Sequence, residues 1–134
     1  MDFLVLYAIA RWFGRLNIIL ALVAAALFAC RRINKHVFAN KNATLKKVIP
    51  WLSKMHPYIG ISLVISAFIH GEAALGTIFR VHTGPMAWGI VCLMMVVALV
   101  GKKYQIKHWL QVHRSLAILL IIAILVHRVA LNLL

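Results

Sequence analysis

Residues 55–71 read MHPYIGISLVISAFIHG, and residues 111–129 read QVHRSLAILLIIAILVHRV. Each is an apolar run with a histidine near either end. The separation is 14 residues both times, from His56 to His70 and from His113 to His127. The remainder of the 134-residue chain is of the same kind, 64% hydrophobic and only 13% charged. A soluble domain of this length cannot hide so much apolar surface, so lipid is the expected solvent. Four runs, at residues 12–30, 53–71, 85–101 and 107–131, have about the length needed to cross a hydrocarbon core of about 30 Å at about 1.5 Å per residue. The expected fold is all-α, a four-helix transmembrane bundle forming a single integral membrane domain over residues 1–134. The N-terminus offers no basic n-region and no small-residue cleavage site, so no removable signal peptide is predicted.

Turn chemistry gives the expected boundaries. The piece DFLVLYAIARWFGR either extends the first helix or lies flat at the membrane interface, where Tyr7, Trp12 and Phe13 are at home. Residues 31–49 are read as a long basic loop. Ser53 is the predicted N-cap of the second span, which places Pro57 in its first turn. Gly71 is expected to end that span before a loop at 72–84, and Gly101 to end the third. Cys30 and Cys92 are too far apart along this topology to form a disulfide, and the absence of CxxCH removes covalent c-type haem.

Charge supplies the orientation. Fifteen Lys and Arg stand against two acids, a net charge of +13. Arg31, Arg32, Lys35, Lys41, Lys46, Lys47, Lys54, Lys102, Lys103, Lys107 and Arg114 fall on one side if the helices alternate, and Arg11, Arg15, Arg80 and Arg128 on the other. The positive-inside rule then predicts both termini outside, in the prokaryotic cytoplasmic membrane. Such cations are read as topology signals facing membrane lipid head groups or an acidic partner, not nucleic acid.

Fourteen residues at about 100° each fall within about 40° of four full turns, so each histidine pair lies on nearly one face, about 21 Å apart along the axis. The second and fourth spans run in the same direction. His56 is therefore expected to face His113, and His70 to face His127, giving two stacked pairs. Histidine inside a span is costly and usually meets a partner in the bundle interior. A metal ion held by two imidazoles alone is under-coordinated, whereas a haem iron needs only its two axial positions filled. Gly60 and Ala117, four residues after His56 and His113, are small beside the inner pair, and Leu63 and Leu120 hold matching central positions between the pairs. Two non-covalent b haems between helices 2 and 4 are thus expected. Arg11, Arg15, Arg80 and Arg128 on one side, with Lys54, Lys107 and Arg114 on the other, are candidates to pair with haem propionates, or else anchor helix ends at the interface. His36 and His82 read as surface loop residues, and His108 as interfacial. The methionines read as packing residues.

The fragments HPYIG…FIHG and VHRSLA…LVHR resemble the dihaem membrane cytochromes b, and in particular the ferric-reductase-like transmembrane helices. The resemblance covers residues 53–131 and implies that His56, His70, His113 and His127 are the axial ligands. It implies transmembrane electron transfer by a cytochrome b subunit, with a quinol, a flavoprotein or a cytochrome c as redox partner, in a larger complex or a homo-oligomer. Two other readings stand beside it: a quinol-oxidising membrane oxidoreductase subunit and a histidine-lined metal transporter. The transporter reading lacks intramembrane carboxylates, since Asp2 and Glu72 are the only acids and neither falls within an expected span.

Overall fold

The computed structural model describes residues 2–77 and 82–133, with side chains through Ala130. Its four helices are α1 (Phe3–His36), α2 (Ala43–Leu75), α3 (Thr83–Lys103) and α4 (Trp109–Leu133). Each is long and apolar enough to cross a membrane. Trp12, Leu22, Leu99 and Leu125 point outward at 60% exposure or more. Outward apolar side chains of this size suit a hydrocarbon solvent, and a helix suits it further by satisfying its backbone groups internally.

Helix α1 packs along α2, α3 along α4, and α2 against α3, whereas no Cα of α2 comes within 8 Å of one in α4. Midway along the bundle, Leu63, Val91 and Leu120 are buried together, backed by Leu20 and Ala21 of α1. The leucines at the centres of the two histidine-bearing helices therefore belong to one core cluster with Val91 of α3.

The basic segment 31–49, expected as a loop, is mostly helix. Helix α1 runs on to His36, and α2 starts at Ala43 with Asn42 as its N-cap, the Asn42 side chain accepting from the Leu45 N–H at 2.9 Å. Ser53 is not a cap. It lies ten residues into α2, where its hydroxyl donates to the Ile49 carbonyl at 2.7 Å and accepts from Arg31 at 2.8 Å. Pro50 and Pro57 both sit inside the helix. An interior proline removes one hydrogen bond and costs about 3 kcal/mol. Packing offsets that loss: Leu45, Val48, Ile49 and Leu52 recur at helical spacing on the inward face. A tight connection closes the α1–α2 hairpin, with Ala39 and Asn40 in left-handed backbone and the Asn40 N–H donating to the Asn34 carbonyl at 2.7 Å.

Two glycines expected as terminators are not. Gly71 is buried inside α2, which ends four residues later at Leu75 and is capped by Gly76 in left-handed backbone, φ 72°. Gly101 also lies inside α3, at a place where a Cβ would overlap the Trp109 side chain of α4. It permits a close approach of two helices.

Candidate functional site

The four histidines meet as two pairs. The His56 and His113 ring centres lie 6.2 Å apart with planes at 72°, and those of His70 and His127 lie 6.3 Å apart at 86°. All four rings are partly buried. The pairs are separated by about 21 Å of helix rise, with the Leu63–Val91–Leu120 layer between them. Imidazoles thus bridge a gap that the α2 and α4 backbones leave open.

The neighbouring helices hold the rings. His70 Nδ1 lies 2.8 Å from the Ala10 carbonyl of α1, and His113 Nδ1 lies 3.1 Å from the Met94 carbonyl of α3. A carbonyl only accepts, so each Nδ1 must carry the proton and each Nε2 keeps its lone pair. His127 Nδ1 lies 2.9 Å from Thr83 Oγ1, which is also 3.4 Å from His82 Nδ1. The Gly84 N–H donates to that same His82 nitrogen at 3.5 Å. One assignment satisfies the whole chain: His127 Nδ1–H donates to Thr83, and the Thr83 hydroxyl donates to His82. His56 Nδ1 is buried beside the Ala24 carbonyl without a hydrogen bond of good geometry. Ala10 and Ala24 are themselves 14 residues apart, so α1 repeats the period of the helix it packs on.

Glycines sit close to the outer pair. A Cβ on Gly14 would come 3.1 Å from His70 Cε1, and one on Gly84 would come 3.2 Å from His127 Cε1. A Cβ on Gly60 would meet nothing within 4 Å, so open space adjoins α2 one turn from His56. Ala117 is half-buried at the matching place on α4.

Among the described residues the basic candidates are exposed, and Arg128 lies beside His127 in the chain. Arg11 and Arg15 are exposed, their guanidiniums over Tyr7 and Trp12 of the same helix at 5.5 and 5.8 Å, as interfacial anchors do. Lys54 and Arg128 are exposed, and Arg80 lies outside the described residues. His36 and His108 are exposed as well. His82 departs from the expectation of a surface residue: it caps α3 and packs edge-on against His127 at 5.8 Å.

Thr83, Met94, Ala10, Gly14 and Gly84 carry no mark in the sequence that ties them to the histidines. Only the register between antiparallel neighbours brings them there. Among the described residues, no three His, Cys, Asp or Glu side chains converge as a metal-ion cluster. Comparison with protein-family models, with characterised proteins and with solved structures finds no match to this chain.

Proposed function

We propose that this chain is a membrane cytochrome b that carries single electrons across the bilayer through two non-covalent b haems. His56 and His113 would hold one, His70 and His127 the other. The observation that carries the reading is the pair of imidazole separations, 6.2 and 6.3 Å, between two helices whose backbones stay apart. Two metal–nitrogen bonds of about 2 Å, each extended roughly 1 Å to the ring centre, span about 6 Å. The donor set supports the same reading, because two imidazoles from opposite helices would suffice to hold a haem iron at each pair.

Bound there, haem supplies an iron that gains and loses one electron. The chain supplies orientation. Hydrogen bonds at Nδ1 of His70, His113 and His127 fix the tautomer, leave Nε2 with its lone pair and raise its basicity. The Leu63–Val91–Leu120 layer keeps water from the path between the sites. Open space beside Gly60 gives a flat group room near the inner pair. Eleven cations at the His56/His113 end support a cytoplasmic position for that end under the positive-inside rule, with both termini outside.

A reduced-minus-oxidised optical spectrum of the detergent-purified protein, with haem quantified per chain, tests this directly. Two low-spin b haems per chain are expected. No haem, from cells able to supply it, overturns the reading.

A further inference from the structure

The two ends of the bundle differ in shape. Helix α2 runs 13 residues from Ala43 before it reaches His56, whereas α4 runs only four from Trp109 to His113. The nine-residue difference is about 14 Å of helix. At the other end the same helices are nearly flush: α2 continues five residues past His70 and α4 six past His127. Helix α3 runs nine residues from Met94, which meets His113, to Lys103, so the α1–α2 hairpin stands as a wall about 6 Å above the end of α3, and the α3–α4 connection forms the lower platform.

Charge follows shape. By chain position, eleven cations and no acid lie at this end, a charge of +11. The other end has four cations against Asp2 and Glu72, leaving +2. No carboxylate of this chain can neutralise the wall or the platform. Arg31, Arg32, Lys35, Lys41, Lys46 and Lys47 on the wall are all exposed, as are Lys102, Lys103 and Lys107 on the platform. At the foot of the step, Arg32 of α1 and Arg114 of α4 lie over the same Phe28 ring, at 5.9 and 5.7 Å. Trp109 packs edge-on against His113 at 6.4 Å, so an aromatic side chain leads from the platform to the imidazole pair.

We propose that this basic step is the docking surface for a soluble, acidic electron-carrier protein, an inference that rests on the cytochrome reading above. Height favours a protein over lipid. Histidine levels about 21 Å apart, centred in a core of about 30 Å, leave each about 5 Å inside the hydrocarbon edge. The start of α2, about 20 Å beyond His56, then stands about 15 Å outside that edge. Head groups occupy only about 5–7 Å per leaflet. Lys41, Lys46 and Lys47 thus lie above the lipid, where a carrier seated on the platform would meet them. Complementary charge at such a rim speeds encounter and sets orientation.

The test uses the full chain in nanodiscs of neutral lipid. The probe is flavodoxin, an acidic carrier protein, and the control is mitochondrial cytochrome c, a basic one. Flavodoxin should bind, cytochrome c should not, and binding should weaken with salt. The variant R32Q/K46Q/K47Q, which alters exposed positions only, should weaken flavodoxin binding about tenfold. Equal binding of variant and wild type, or equal binding of both probes, overturns the proposal. So does an absence of flavodoxin binding accompanied by loss of retained anionic lipid in the variant, which assigns the cations to head groups. The optical spectrum of each preparation separates the two readings: haem without charge-dependent docking sinks only the docking surface, and docking without haem sinks only the cytochrome.

Discussion

A single methylene decides much at the imidazoles. Gly60 opens onto empty space while Gly14 and Gly84 press against histidine rings, so the same kind of substitution should read out differently. Gly60→Leu should hold or raise the stability of the haem-free protein, since leaving glycine in a helix interior gains about 0.8 kcal/mol, yet it should lose one haem of two. A variant that retains both in a spectral titration would remove the space argument. Gly14→Val should instead cost about 1–3 kcal/mol by overpacking against His70, seen as a lower Tm, and should lower occupancy of the other haem. Thr83 offers a finer test because, unlike a backbone carbonyl, it can be replaced. If the Thr83 hydroxyl accepts from His127, it favours the ferric iron, and Thr83→Val should raise the potential of one haem alone. A hydrogen bond of about 1 kcal/mol corresponds to ~40 mV for one electron. Thr83→Ser should stay near wild type in a redox titration, and equal shifts of both haems would contradict the assignment.

Among the elements, α2 shows how far local signals mislead. Ser53 and Pro57 look like a helix start, and a glycine after a histidine looks like a stop. The helix nevertheless extends from Ala43 to Leu75, because its inward face is buried against α1 on both sides of each expected boundary. The true ends carry ordinary chemistry, an Asn42 cap and a left-handed Gly76. Asn42→Ala should therefore cost about 1 kcal/mol, measurable as a lower Tm, while Ser53→Ala should leave the N-terminus of α2 in place. Gly101→Leu should disturb α3 and α4 more than either, because the added atoms collide with Trp109. A cost of about 1–3 kcal/mol is expected, and an unchanged Tm would show that the two helices separate freely.

For the whole molecule, the overhang and the charge coincide at one end, and this yields a topology prediction. In a background without Cys30 and Cys92, Lys41→Cys should react with a membrane-impermeant thiol reagent only from the cytoplasmic side, and Phe3→Cys only from the outside. The reverse pattern would invert the assignment of the docking face and of the electron path. Both sites suit the assay because both side chains are exposed.

The sequence alone determined four apolar helices, their alternating charge and the 14-residue period that sets His56 against His113 and His70 against His127. These are local properties: hydropathy sums over a window, and helical phase follows from a fixed rotation per residue. Tertiary structure decided what surrounds the imidazoles. That Ala10 and Met94 carbonyls and the Thr83 hydroxyl meet Nδ1 atoms, that Gly14 and Gly84 yield to rings, and that a basic stretch becomes a standing hairpin all depend on the register between antiparallel neighbours. That register is fixed by side-chain packing across helices, which no period along one helix encodes.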